Sequence, residues 1–320
     1  MSQIEMVSLE DLVPKNHQYR KFLKVLDFND ILSSLKKLQL DSLYKGFGLD
    51  RLFKCLLLQF MEDLSDREAE RFLQENTSAK WFCNFSLGEK SPDHTVFCRA
   101  RKRIGTERLS QYFSTLKNQL RQKGFMSEVF TFVDATHLIS KANLWKERDE
   151  AIKQKYEKLN NEVLPKVAAD KQARIGCKGK SKFWYGYKQH TSVDMQSGLI
   201  NKVAITPANV LDSHGLKHIT PSQGAIYGDK GYCTKPSQHA AKKSGCHLAA
   251  IKLNNMKDKN KDLDKWLSKL RSPYERVFSK IPKRVRYRGV SKNQFAGFMH
   301  AICHNLRRLA VLDPPFASPA

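Results

Sequence analysis

The sequence predicts an α/β fold, a mixed sheet flanked by helices, preceded by an all-α half. Three observations carry this. Over residues 8–123 apolar residues recur at helical spacing. At 128 the pattern changes to a continuous apolar run, "EVFTFVDAT", as expected of a strand covered on both faces. Further on, "GAIYGD", "TKPSQHAAKKSG" and "CHLAAIKL" alternate strand, helix, strand. Their length implies a parallel pair with a right-handed crossover.

The elements follow in order. "GLDRLFKCLLLQFMEDL" sets Leu49, Leu52, Phe53, Leu56, Leu57 and Phe60 on a helix. Ser65 opens the next helix, with Glu68 three residues on, a capping-box pattern. "PDHTVFCRARKRIG" is a basic helix ending near Gly105, and the helix after it stops at Gly124. This half is read either as a helix-turn-helix that enters a DNA groove or as a packing domain with a solvated basic surface. After the strand at 128, residues 146–182 are charge-rich and broken at Pro165. They read as a helical or mobile insertion with no core of its own. "FWYGYKQHTSVD", the turn "MQSG" and "LINKVAIT" make a hairpin. Thr234 caps and Gly245 stops the helix between the last two strands. "SKNQFAGFMHAICHNLRRLAVL" is a closing helix, ended by Pro314 and Pro315. The expected division is 1–125, helical; 126–312, α/β with the insertion at about 146–182; and a tail, 313–320.

Composition narrows the function. The chain has 320 residues and 41% hydrophobic content, with 56 Lys+Arg against 32 Asp+Glu, a formal charge of +24. Such a field attracts polyanions. Nucleic acid is the leading partner, because phosphate neutralisation supplies most non-specific binding energy; an anionic membrane surface is the rival. No apolar run approaches the roughly 20 residues of a spanning helix, and Met1–Asp11 lacks the order of a signal peptide. The chain therefore reads as cytoplasmic. The seven cysteines form no C-x-x-C pair, so zinc spacing is absent and reduced thiols are expected.

Against this basic background certain acids stand out. Asp134 ends the first strand and Asp229 ends "AIYGD" in the same manner, flanked by Gly228 and Gly231. Active groups in α/β sheets often sit at the carboxyl ends of strands. On neighbouring strands the two carboxylates would lie together and suit Mg²⁺, which commonly binds one or two carboxylates plus phosphate. Taken singly, each aspartate also fits a turn or cap role. Glu275, in "LRSPYERVFSK", is the third candidate. Ser272, Pro273 and Glu275 also read as a capping box with proline at the first helical position, so capping and catalysis both fit. His137, three residues after Asp134 on a continuing strand, faces the opposite side and is not assigned to a metal.

The ordered set "FVDATHL", "GYKQHTSVD", "ITPANVLDSH", "IYGDKGY" and "LRSPYERVFSK" resembles the DDE transposases of bacterial insertion sequences, closest to the insertion-sequence-five type. The upstream "LDRLFKCLLLQFMEDLSDREAERFL" and "PDHTVFCRARKRIG" look like that group's N-terminal helical domain. The resemblance spans roughly 40 to 312. It implies an RNase H-like mixed sheet flanked by helices, with Asp134, Asp229 and Glu275 as both catalytic residues and metal ligands. Two Mg²⁺ ions, with Mn²⁺ as a substitute, are the implied cofactors. The implied partners are terminal inverted repeats and target DNA, bound by a homodimer in the bacterial nucleoid. The family signature around the glutamate runs Tyr, two residues, Arg, three residues, Glu, six residues, Lys. Arg271 fills the arginine slot; Ser268 stands in the tyrosine slot and Pro282 in the lysine slot, with Lys280 and Lys283 beside it.

Phosphate contacts are expected from Arg99, Arg101, Lys102 and Arg103 in the basic helix, from Lys178, Lys180 and Lys188 around "FWYGY", and from Lys230, Arg271, Lys280 and Lys283. The aromatics of "FWYGY" are assigned to the core by strand alternation; in the other reading Trp184 or a tyrosine stacks on a base. Rival readings share these features: a DNA-binding regulator whose α/β half is structural or an inactive transposase remnant, neither of which cleaves, and a nuclease that cuts without joining.

Overall fold

A computed structural model of the chain describes residues 7–33, 46–141, 149–150, 152–154, 160–179, 181–253, 256, 259–279 and 281–312. The tail 313–320, Lys180, Lys280 and part of the charged insertion lie outside the described residues. The chain forms two compact units, Met1–Phe125 with Met299–Ala320, and Met126–Phe298.

The first unit is helical. Its centre is the helix Leu49–Met61, where Leu49, Leu52, Phe53, Leu56 and Leu57 are all buried. Burial extends round the helix to Cys55 and Leu58, so this is a core helix rather than a one-faced surface helix. Ser65 and Glu68 form the expected capping box at the start of Asp66–Glu75: the Ser65 hydroxyl accepts from the Glu68 N–H, and Glu68 accepts from the Ser65 N–H at 2.8 Å. The span His94–Gln122 is two helices, as the sequence predicts, separated at Gly105, whose non-helical φ of 70° and ψ of 164° glycine adopts without strain.

The second unit is built on a sheet of six strands among the described residues: β1 Phe130–Ile139, β2 Arg174–Lys178, β3 Lys182–Asp194, β4 Ile200–Pro207, β5 Ala225–Gly228 and β6 His247–Ala250. The order is β2-β3-β1-β5-β6, with β4 also pairing β3. β3 runs antiparallel to β1, β2 and β4; β1, β5 and β6 are mutually parallel neighbours. The sheet is mixed because a hairpin lies on one side and a strand–helix–strand crossover on the other. The crossover helix Lys235–Lys243 is capped by Thr234, which accepts from the Ser237 N–H, and is followed by Gly245 at φ 68°. The β3–β4 turn is tied by buried Asp194, which accepts from the Ser197 N–H at 2.9 Å and the Glu128 N–H at 3.0 Å.

One expectation is corrected. Part of the insertion is built into the sheet: residues 174–178 form the edge strand β2 on β3. Just before it, Asp170 is 1% exposed. Its carboxylate accepts from the Tyr187 hydroxyl at 2.6 Å and the Ser140 hydroxyl at 2.8 Å, and its carbonyl accepts from the Tyr185 hydroxyl at 2.6 Å. A carboxylate so deeply buried persists because its lone pairs are satisfied, and it fixes the approach of β2 to the sheet.

Candidate active site

The middle of β1 and the carboxyl end of β5 create the site: Asp134 does not end its strand as expected, because β1 stays paired with β3 as far as Ile139, whereas Asp229 directly follows β5. Phe130, Thr131 and Phe132 pair in parallel with Ala225, Ile226 and Tyr227. Two residues beyond the last pair, the same register sets Asp134 beside Asp229. Each carboxylate is held by a nearby backbone donor: Asp134 accepts from the Ala135 N–H and Asp229 from the Gly231 N–H, both at 2.8 Å. The two flanking glycines are required by close approach. A Cβ on Gly228 would lie 2.9 Å from the Tyr232 ring, and one on Gly231 would lie 3.0 Å from the Asp229 carboxylate.

The two acids sense one another. Burial pushes the Asp134 carboxyl up to about 6; the Ala135 N–H opposes this, the Asp229 charge adds to it, and Arg271 and Lys178 oppose it. Asp134 ionises more readily in the unfolded chain, near the ordinary 3.8, than in the folded one. Its ionisation therefore costs stability as pH rises from about 4 to about 6, by roughly 2–3 kcal/mol at full effect. In cation-free buffer, Asp134→Asn is expected to be more stable than the parent at pH 8, with the difference vanishing at pH 4. Parallel thermal melts at the two pH values check this.

Glu275 approaches from a third element. The helix Lys261–Arg271 passes through a 3₁₀ turn, Ser272–Tyr274, into the short helix Glu275–Ser279. Ser272 is not the N-cap that the capping-box reading needs. Ser272 has φ −50° and ψ −43°, helical values, whereas an N-cap residue needs extended backbone. The turn is instead anchored on β1. Buried Phe132 meets the Phe278 ring at 5.4 Å and the Tyr274 ring at 6.1 Å, and the Arg271 guanidinium sits 5.3 Å from its centroid. The Tyr274 hydroxyl donates to the Met195 carbonyl. Phe132 and Asp134 are two residues apart on one strand and share a face. The segment bearing Glu275 is thus docked on the face that carries Asp134, with Glu275 itself exposed.

The predicted basic residues fall into distinct environments. Lys178 and Lys283 are exposed, and the charges of both, with that of Lys182, reach His137. Burial and these charges lower the His137 pKa, and its ring lies 5.5 Å from that of Trp184. Lys230 is exposed beside Asp229. Lys188 is held differently: its ammonium is 2.8 Å from Asp212, with 11% of its side chain accessible. In the helical unit Arg99 and Lys102 are exposed and Arg103 is partly buried. Arg101 forms a two-pronged bridge to Asp66 at 2.7 and 2.8 Å. Trp184, Tyr185 and Tyr187 are buried, as strand alternation assigns them, while Phe183 is 62% exposed.

Two residues near the acids were not selected from the sequence. Asp212 pairs with Lys188 and lies near Asp229, since a Cβ on Gly231 would be 3.0 Å from one carboxylate and 4.0 Å from the other. Tyr232 is wholly buried, with its ring against Gly228, the residue before Asp229. Both stand within segments singled out above, "ITPANVLDSH" and "IYGDKGY", and an aspartate following an apolar run was the available signal for Asp212.

Family comparison agrees with this architecture. A model described as "Transposase DDE domain" matches residues 126–306, and one described as "Transposase domain (DUF772)" matches residues 7–103. The chain belongs to the transposase DDE-domain family. A helical region followed by a mixed sheet with helices is the RNase H-like architecture that its sequence led us to expect. No helix among the described residues of the transposase is long and apolar enough to cross a membrane.

The fit of a divalent cation can be judged from the donors. Among the described residues no group of three or more His, Cys, Asp or Glu side chains is placed to hold a metal ion. A pair of carboxylates on adjacent parallel strands nevertheless suits Mg²⁺, which takes oxygen ligands and usually completes its shell with water and substrate phosphate. The donor set is all oxygen, which a hard cation prefers.

Proposed function

We propose that this transposase belongs to the insertion-sequence-five type and acts at the ends of its own element. It binds the terminal inverted repeats, cleaves there by phosphodiester hydrolysis, and joins the freed 3′-hydroxyl to target DNA. The observation that carries the reading is that Asp134, within β1, lies beside Asp229, just past the end of the neighbouring parallel strand β5, with the Glu275 segment docked on the same face as Asp134.

Asp134, Asp229 and Glu275 are the residues that hold the cofactor in this reading, with Mg²⁺ as the natural ion and Mn²⁺ as its substitute. Bound there, divalent ions supply an activated water and stabilisation of the leaving oxygen. The protein's own residues set the conditions. The backbone N–H groups of Ala135 and Gly231 keep the two aspartates oriented. Arg271 and Lys178 offset the negative charge gathered around Asp134. Lys178, Lys230 and Lys283 contact phosphates near the chemistry, and Arg99 and Lys102 contact them from the helical unit; Lys180 and Lys280 keep their proposed phosphate role. A homodimer brings the two ends together.

The test is incubation with Mg²⁺ and a DNA carrying the inverted repeats that flank the gene. Cutting at the ends followed by joining is the expected result. Cutting without joining would favour a nuclease, and binding alone a regulator. Glu275→Gln is expected to bind the same DNA and to lose at least about 10²-fold in cutting.

A further inference from the structure

The loop that presents Asp229 rests on the segment 212–219. This segment is a helical turn, Asp212–Gly215, followed by the 3₁₀ turn Leu216–His218. Two contacts join it to the loop. Tyr232 shares an apolar cluster with Leu216, Ile219, Val133 and Ile226. One residue earlier, Gly231 lies between two carboxylates: the Cβ it lacks would stand 3.0 Å from Asp229 Oδ1 and 4.0 Å from Asp212 Oδ2. Gly231 is also the residue whose N–H holds Asp229, at 2.8 Å.

Strand β3 fixes the segment in turn. The Lys188 ammonium donates to Asp212 Oδ1 at 2.8 Å. Two residues further along β3, the His190 ring lies so close under Gly215 that a Cβ there would come within 2.5 Å of three of its atoms. Lys188 pairs with His137 of β1, so it leaves the sheet on the face opposite the Asp134 side chain. Lys188 and Asp212 therefore meet the Asp229 loop from behind.

Lys188 is 9% exposed, and lysines are almost never so buried unless paired. Such a pair adds little net stability, because desolvation offsets the attraction; apolar replacements are often neutral or stabilising. The apolar cluster already holds the segment on the sheet. What the ion pair adds is direction, a tether from β3 to the side chain that flanks Gly231.

We propose that Lys188 and Asp212 are positioning residues of the active site: their ion pair fixes the wall against which Gly231 sits, and Gly231 in turn orients the Asp229 carboxylate for a divalent cation. This rests on the reading of Asp229 as a cation ligand. Loss of groups that orient a ligand typically weakens metal affinity about 10–100-fold.

The test is the double variant Lys188→Met/Asp212→Leu in the full-length chain, studied beside Asp229→Asn. It removes one positive and one negative charge, so net charge is unchanged, and it fills the space with side chains of similar shape. Mn²⁺ alone is the probe, titrated calorimetrically, with the thermal midpoint of the metal-free protein as a second readout. The midpoint is expected to stay within about 4 °C of the parent or to rise, while Mn²⁺ binding weakens about tenfold. Parental Mn²⁺ affinity would overturn the proposal. A midpoint lowered by more than about 4 °C would also overturn it, making the pair a structural brace. Lys188→Gln/Asp212→Asn is read by the same criteria if the apolar pair fails to fold. Asp229→Asn separates the two levels. If it binds Mn²⁺ like the parent, the cation-ligand reading fails and the role of the pair falls with it. If Asp229→Asn loses Mn²⁺ and the double variant does not, only the positioning role fails.

Discussion

Asp134→Asn is expected to reduce Mg²⁺-dependent cutting of end DNA by about 10³-fold or more, a barrier increase of about 4 kcal/mol. The amide keeps the size of the carboxylate but removes the charge and one acceptor oxygen. A hard divalent cation prefers charged oxygen ligands, so the loss falls on the chemical step. DNA affinity follows a different account. It comes from lysine and arginine contacts to phosphate, and one carboxylate fewer in a chain of net charge +24 does not oppose them. The dissociation constant for end DNA is expected to stay within about threefold, or to tighten. Gel-shift binding and gel-resolved cutting on the same labelled duplex measure both quantities. Cutting at the parental rate would remove Asp134 from the mechanism.

Phe132→Ala is the second large effect. The side chain is 0% exposed and touches Arg271, Tyr274 and Phe278 together. Truncating a buried phenylalanine costs about 3–5 kcal/mol, because the cavity collapses only in part. For a unit of this size that is a fall of roughly 10 °C in the midpoint. The same change loosens the segment that carries Glu275, so activity should fall beyond what unfolding explains. Phe132→Leu separates the two effects. It keeps most of the volume, costs about 1 kcal/mol, and leaves the chain folded at 25 °C, yet is expected to cut at least about tenfold more slowly because a branched aliphatic cannot seat both rings. Parental cutting by folded Phe132→Leu would show that docking through this ring does not place Glu275.

Sequence legibility followed locality. Asp134 and Asp229 were readable because each ends a short apolar run, and the strand–helix–strand pattern around Asp229 implied the parallel pairing. Ser65–Glu68 was readable because a capping box is complete within four residues. β2 was missed because "RIGCK" is five residues long and offers only two apolar side chains, Ile175 and Cys177, within a charge-rich stretch. Its position comes from pairing with β3 and from Asp170, whose hydrogen-bond partners lie far along the chain. Around Glu275 the local signal pointed both ways. Ser-Pro-x-Glu resembles a helix start, but the preceding helix continues into Ser272, and the rings on Phe132 hold the turn in place. Lys188 was assigned to phosphate from its charge alone. Its pairing with Asp212 is tertiary, and nothing within a few residues of either signals it. Tyr232 was quoted as part of a motif, but its burial is visible only once the strands are assembled.

The central claim is that Asp134, Asp229 and Glu275 serve one cation site. The most direct measurement is anomalous scattering from Mn²⁺ in crystals of the transposase bound to its end DNA. The account predicts Mn²⁺ between Asp134 in β1 and Asp229 at the end of β5, with carboxylate oxygens of all three residues about 2.0–2.2 Å from the ions. Mn²⁺ held without Glu275, with Asp212 in its place or with the Glu275 carboxylate turned to solvent, would contradict it.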